Sequence, residues 1–413
     1  MTPLQLHADR TLIRTTGSSV RYLLASIDAP PAPPREHRLP VNIAFVLDRS
    51  GSMQGDAKFP LAVEAVRQAL ALLTDIDRFS LVVFDDRVDV IARSTFATPD
   101  AKRAALRALE QVEPRQSTDL CAGWMRGCEQ LSEFIAPGTV TRALLLTDGQ
   151  ANSGETDHDT LARHAAELRR RGITTSAFGV GADFDERLLG DITREGGGNF
   201  YFVRTAEQIP DLVTSELGEA LEVVLPNATL TVTVPPGATA RLMHSFRSTR
   251  TPHLTIELGD LVSAQQLELV IRVECPAGTI GDTVRVTAAL GNEAHASHDF
   301  TFASHEANDA EPRNRRVDRA VAKIYAARAR AEATEANRQH EFDHARDILQ
   351  ATSRRIMRYA GDDTKLLAIA DALVSEIRTY AERPMSPRAL KESHYLAETA
   401  LHFRDDEGKA MRG

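Results

Sequence analysis

The sequence predicts a doubly wound α/β domain set into a β-sandwich and followed by a helical tail. Three observations carry that expectation. Between about Val41 and Leu221 short apolar runs alternate with longer helical patterns, as in a mostly parallel sheet covered on both faces. On either side, apolar residues recur at every second position, the mark of sheet with one buried face. From about Ala310 the composition turns to Ala, Arg and Glu, with three-or-four spacing and few Gly or Pro.

Taken in order, Val20, Tyr22 and Leu24 form the first stripe, and Pro30-Pro31-Ala32-Pro33-Pro34 leads out of it as a linker. Strands are predicted at 41–47, 79–84, 142–147, 173–180 and 199–203, with a short edge strand at 88–92 hairpinned to the second. Helices are predicted at 61–73, 101–109, 120–134 and 160–170, the third presenting Leu120, Trp124, Leu131 and Phe134 on one side. Downstream stripes follow: Leu230, Val232 and Val234; then Leu254, Ile256 and Leu258, closed by Gly259-Asp260; then Leu267, Leu269, Ile271 and Val273; then Val284 and Val286. The N-terminal strands need a partner sheet and these strands supply one, so both flanks are expected to form a single sandwich that the α/β domain interrupts, the alternative being a separate N-terminal ribbon. In the tail, Phe342, Ala345, Leu349, Ile356 and Tyr359, then Leu366, Ile369, Leu373, Ile377 and Tyr380, predict a helical hairpin turning at Gly361-Asp362-Asp363. The expected regions are 1–38 and 222–306 for the sandwich, 39–221 for the α/β domain and 310–413 for the tail, which should be removable after about Ala310 without unfolding the rest.

At 413 residues the chain exceeds what one core organises. No window reaches the roughly 18 apolar residues of a membrane span, and Met1-Thr2-Pro3-Leu4-Gln5 lacks the pattern of a secretory signal, so a cytoplasmic protein is expected. Cys121, Cys128 and Cys275 are odd in number; the first two lie two helical turns apart, about 10 Å, too far for a disulfide, and reduced thiols are expected. A net charge of −9 disfavours nucleic acid and anionic membrane as main partners.

The chemistry concentrates where the first α/β strand ends, in Leu47-Asp48-Arg49-Ser50-Gly51-Ser52-Met53. An acid and two hydroxyls at alternate positions of a glycine-containing turn can aim their oxygens at one point, and a hard divalent ion asks for about six such ligands. Ser and Asp are also ordinary turn and cap residues, but this motif lies at the carboxyl edge of the sheet, where open α/β folds bind ligands. Ser117-Thr118-Asp119, opening the helix with Trp124, and Thr147-Asp148-Gly149, ending a later strand, fall where the same site needs them.

Other signals are set aside. Lys58 follows Ala57 and precedes Phe59, so Gly51 to Lys58 is no phosphate loop. Asp85, Asp86 and Asp89 read as a solvated turn. His295, His298 and His305 lack the spacing of a zinc site and read as exposed strand or loop. Gly196-Gly197-Gly198 reads as a tight turn with positive φ. No histidine is tied by motif to Ser50, which argues against a hydrolytic nucleophile.

Taken together, Asp48-x-Ser50-x-Ser52, Thr118 and Asp148 resemble the metal-ion-dependent adhesion site of the von Willebrand factor type A family, across somewhat under half of the chain. The flanking β-region looks like that of bacterial proteins similar to inter-alpha-trypsin inhibitor heavy chains. The resemblance implies a Rossmann-like fold in which Ser50, Ser52 and Thr118 coordinate magnesium directly, Asp48 and Asp148 act directly or through water, and manganese or calcium can substitute. A glutamate or aspartate of a partner protein then fills the open position. Where the family often has glycine before the threonine, this chain has Gln116-Ser117. The resemblance further implies a non-enzymatic adaptor, with MoxR-like AAA+ ATPases as one partner class. Relatives labelled chloride channels are no guide, because no spanning segment is seen. Two alternatives stand beside it: a metal-dependent hydrolase, for which Asp119 and Asp148 are the available bases, and a surface adhesin, which requires export.

Overall fold

The computed structural model describes residues 4–33, 37–115 and 118–412; Met1-Thr2-Pro3, Pro34 of the linker and Gln116-Ser117 ahead of Thr118 lie outside the described residues. The chain forms two units, one made of Met1–Pro31, Asn227–Asp406 and Ala410–Gly413, the other of Ala32–Pro226 and Glu407–Lys409.

The first unit begins with β1 (Leu4–Ala8), β2 (Leu12–Arg14) and β3 (Ser19–Asp28). The second unit then runs through β4 (Val41–Asp48), α1 (Lys58–Leu72), β5 (Arg78–Phe84), β6 (Val88–Phe96), α2 (Pro99–Leu109), α3 (Leu120–Ser132), β7 (Val140–Thr147), α4 (His158–Arg170), β8 (Thr174–Val180), α5 (Glu186–Gly196), β9 (Gly197–Val203) and α6 (Ile209–Leu221). Its sheet has the order β6-β5-β4-β7-β8-β9, parallel except for the antiparallel edge strand β6. Every residue of β4 and of β7 is buried, as in a central strand roofed by helices on both faces. Strand β4 has β5 on one side and β7 on the other, so the chain reverses its direction of winding there and opens a crevice at the carboxyl ends of those two strands.

Helix α3 lies very close to this sheet. A methyl group on Gly123 would sit 2.3 Å from the Phe84 ring, and one on Gly127 would sit 2.3 Å from Val46 Cγ2. Trp124 is fully buried between them, its Nε1 donating to Thr175 Oγ1 at 3.1 Å. Helices α5 and α6 belong to the amphipathic stretches between predicted strands. Asp185 caps α5 by accepting from Arg187 N and Leu188 N, and Gly197 ends it at φ 71°, so the triple glycine is a helix stop as well as a turn.

The first unit resumes with β10 (Val223–Thr233), β11 (Thr239–Leu242), β12 (Ser248–Thr249), β13 (Leu254–Val262), β14 (Gln266–Cys275), β15 (Thr283–Leu290) and β16 (Ala294–Ala303). One sheet has the order β1-β3-β14-β11 and the other β12-β13-β10-β15-β16-β2, so N-terminal strands take part in both. Strand β3 pairs with β14 over ten residues, Asp28 opposite Gln266 through Ser19 opposite Cys275. Strand β13 does not close at Gly259-Asp260; it runs on to Val262, with Gly259 at φ 78° letting the chain bend within it.

The tail opens with a short α7 (His305–Ala310), followed by α8 (Arg315–Arg338), α9 (Phe342–Ala360), α10 (Thr364–Ala381) and α11 (Pro387–Leu401). The expected hairpin is α9 and α10, and α8 and α11 flank it. Helix α8 has two buried faces. Ala322, Ala326, Ala329, Ala333 and Ala336 pack against Leu349, Ile356, Leu366 and Leu373 of the hairpin. Val317, Val321 and Ile324 pack with Tyr22 and Leu24 of β3 and Val270 of β14. That contact corrects two expectations. The stripe Tyr22 and Leu24 is covered by helix rather than by the second sheet, and β3 is buried on both faces. The tail is therefore part of the sandwich unit's core and not an appendage to it.

Candidate metal centre

The crevice between β4 and β7 gathers the residues singled out in the sequence. Asp48 ends β4, and its Oδ1 accepts from Ser50 N at 2.7 Å while its Oδ2 accepts from Thr147 Oγ1 at 2.6 Å. The chain then turns through a 3₁₀ segment, Gly51–Ala57. Ser50 Oγ lies 3.0 Å from Ser52 Oγ, and Ser52 Oγ donates to Asp148 Oδ1 at 2.6 Å. Thr118 arrives from the loop before α3, where its backbone N–H donates to Asn152 Oδ1 at 3.3 Å. Its hydroxyl is near the same point, because an atom built at the Cβ position of Gly149 would lie 3.4 Å from Thr118 Oγ1 and 3.7 Å from Asp48 Oδ2. Asp48 and Asp148 are fully buried, Ser50 and Thr118 nearly so, and Ser52 is exposed, so two inner carboxylates open to solvent past a hydroxyl.

Two buried carboxylates in one pocket are electrostatically unstable without a cation. Burial pushes the Asp48 carboxyl up to about 6; hydrogen bonds from Thr147 and Ser50 hold it down against that, and the neighbouring Asp148 charge raises it further. One positive charge is present. Lys58 Nζ donates to Asp148 Oδ2 at 2.6 Å from the first residue of α1. It reaches there because Asp56 and Ala57 both adopt left-handed backbone, φ 52° and 55°, which L-residues enter at a cost of roughly 1–2 kcal/mol each. Lys58 is therefore a carboxylate partner in this crevice.

The donor set fits a small divalent ion. All five side chains offer oxygen, and ligands 2.0–2.1 Å from an octahedral ion sit about 2.9 Å from their neighbours, close to the Ser50 to Ser52 separation of 3.0 Å. Asp119 is otherwise engaged, since its Oδ1 accepts from Ala122 N at 2.9 Å as the cap of α3.

Around this pocket Asp86 and Asp89 after β5 are exposed, as a solvated turn requires, and Asp85 departs from that expectation. Asp85 is fully buried, with Arg49 Nε at 2.9 Å and Arg115 Nε at 2.6 Å, and Arg49 also pairs with Asp89. Arg49 stands between Asp48 and Ser50, and its side chain ties the motif to Asp85 and Asp89 after β5. His295 and His298 lie on β16, the latter half-buried, and His305 starts α7 against Arg14 and Thr16 at 2.9 and 2.8 Å. The thiols are unpaired: burial pushes Cys121 and Cys275 up to about 11 and Cys128 higher still. Among the described residues no helix is long and apolar enough to cross a membrane.

Residues 42–215 match the family model of the von Willebrand factor type A domain. The chain is similar to the uncharacterized protein YfbK of Escherichia coli (strain K12), 24% identical over 239 residues, which cover 56% of this chain and 41% of that protein. It is also similar to inter-alpha-trypsin inhibitor heavy chain H2 of Homo sapiens, 29% identical over 177 residues, 40% of this chain and 18% of that one. The chain thus spans about two-fifths of the first and about a fifth of the second. The uncharacterized protein sll0103 of Synechocystis matches over 65% of both chains at 26% identity. Among solved structures, a von Willebrand factor type A protein from Catenulispora acidiphila superposes with a TM-score of 0.73 at 19% identity, over 100% of this chain and 98% of that one. The ArnB paralog VWA2 from Sulfolobus acidocaldarius gives 0.61 at 15% identity, over 97% and 99%. Both share the fold along the full chain, flanks and tail included.

Proposed function

We propose, from the premise that residues 42–215 are a von Willebrand factor type A domain, that this chain is a metal-dependent protein-interaction module whose ligand is a carboxylate of a partner protein. Domains of this family commonly hold a metal at such a site. Ser50, Ser52 and Thr118 would hold the ion directly, and Asp48 and Asp148 would do so directly or through water. When bound, the cation supplies an open coordination position that an aspartate or glutamate fills, and magnesium suits the all-oxygen set best, with manganese or calcium as substitutes.

The convergence of five oxygen donors from three separate loops on one crevice carries this reading. The chain's own residues do the rest. Thr147 and the Ser50 amide fix the Asp48 carboxylate, and Arg49 anchors the motif to Asp85. A cation at the crevice mouth gives a chain of net charge −9 a local attraction for acidic partners. An adaptor role is favoured over a hydrolase because the two bases the sequence offers are engaged, Asp119 in capping α3 and Asp148 with Ser52 and Lys58. A MoxR-like AAA+ ATPase is one partner class to test, and the unpaired thiols suit a reducing cytoplasm better than export as an adhesin.

The test is affinity capture from native extract with the whole chain, in magnesium and in EDTA, with Asp48→Ala as control. A partner recovered only with magnesium and the intact motif is expected, with at least tenfold loss in Asp48→Ala and an unchanged melting profile. Equal recovery in all three conditions would mean that the crevice is structural and that binding lies elsewhere.

A further inference from the structure

We infer that the sandwich unit holds a second, independent site, a cavity of about 420 Å³ built by β11, β14, α8 and α9 that takes a small multiply phosphorylated anion. Four guanidiniums line it: Arg241 on β11, Arg272 on β14, Arg328 on α8 and Arg355 on α9. Arg241 and Arg272 are directly opposite each other in the antiparallel β11–β14 pair. Like charges at that position repel, and Glu274, paired with Arg272, offsets one of the two.

The other two arginines are held by neutral groups. Arg355 donates to Tyr22 Oη at 2.8 Å and stacks 4.0 Å from the Tyr325 ring, while the neighbour of Arg328 Nη1 is Met243 Sδ at 3.8 Å. Among the described residues no carboxylate lies within ion-pairing distance of Arg241, Arg328 or Arg355. Arg272 pairs with Glu274 at 2.5 Å, and Glu332 lies on the rim, so the pocket keeps a surplus of two positive charges in a chain that is acidic as a whole. Helix and sheet both contribute, Arg328 and Arg355 from α8 and α9 and Arg241 and Arg272 from β11 and β14. Arginine forks match phosphate oxygens in pairs, and Tyr22 and Tyr325, hydroxyl to hydroxyl at 2.8 Å, fix Arg355 in advance of any ligand. The pocket is open to solvent, with Arg241 and Arg355 exposed at its edge, and a pyrophosphate group fits its volume.

Calorimetry of the full chain with inorganic pyrophosphate, in EDTA and low salt so that the metal centre is silent, tests this. Saturable one-site binding is expected, with orthophosphate about tenfold weaker and with Arg328→Gln or Arg241→Gln weakening pyrophosphate about tenfold or more. Arg103→Gln, an exposed arginine on α2, should change nothing. Melting curves of the same variants separate lost binding from lost structure. Without ligand, Arg241→Gln should melt at or above the wild-type temperature at low salt, because it removes the repulsion across the strands. Absence of pyrophosphate binding, or equal affinity in wild type and both pocket variants, overturns the site.

Discussion

His244 shows how much a single buried side chain can commit. Its Nδ1–H donates to Leu401 O at 3.1 Å and its Nε2 accepts from Val270 N at 2.9 Å, so neither nitrogen can take a second proton without losing a bond. Burial pushes its pKa down to about 3. In the unfolded chain the imidazole protonates near its ordinary value of 6.5, so the folded form loses stability as pH falls below that, by up to ~1.4 kcal/mol per pH unit. Denaturant titrations of the whole chain between pH 7 and pH 5 should show the loss, and His244→Gln should flatten it; an unchanged slope would assign it to other groups. At the metal centre, Asp48, Ser50, Ser52, Thr118 and Asp148 were legible because alternate acid and hydroxyl at the end of an apolar strand is a one-dimensional pattern. The role of Lys58 was not, since its aim depends on two left-handed residues, Asp56 and Ala57, that are not glycine. The burial of Asp85 likewise depends on Arg49 reaching across from the next strand, which no local spacing announces.

Helices and strands were legible in proportion to the size of their buried side chains. The strands β4, β5, β7, β8 and β9 and the hairpin α9–α10 carry Val, Ile, Leu and Phe, and their periods stand out. Helix α8 lies within the helical tail read from composition, but the face it turns to that hairpin was not legible, because that face is made of alanines rather than of large apolar side chains. Close approach governs α3, the helix that follows Thr118. Gly123→Ala would press a methyl group into Phe84 and should cost about 1–3 kcal/mol by overpacking, measured by urea denaturation. Since α3 cannot retreat without displacing the Thr118 loop, the same change should weaken magnesium binding; full stability would show that α3 has slack.

The division into an α/β unit and a sandwich unit followed from a change of period along the chain, but the place of the tail did not. Packing of α8 onto β3 joins residues some 300 positions apart in sequence, and nothing in the tail alone identifies its partner. Truncation after Ala310 should therefore fail: baring Tyr22, Leu24 and Val270 forfeits roughly 5 kcal/mol of burial, comparable to the whole stability of a typical domain. The truncated chain should retain one cooperative transition, that of the α/β unit, and expose dye-binding surface; two intact transitions would restore the tail to an appendage. The pairing of β3 with β14 has a consequence in time. Their facing residues are about 240 positions apart, so at 5–20 residues per second a ribosome needs roughly 10–50 s to supply the partner of β3. Throughout that interval the run Leu23-Leu24-Ala25 has only β1 beside it, so the nascent chain carries a sticky edge while the inserted unit emerges and folds. Slowing translation within 41–221 should lengthen that exposure and lower the soluble yield, which makes synthesis rate a determinant of the assembly of this architecture.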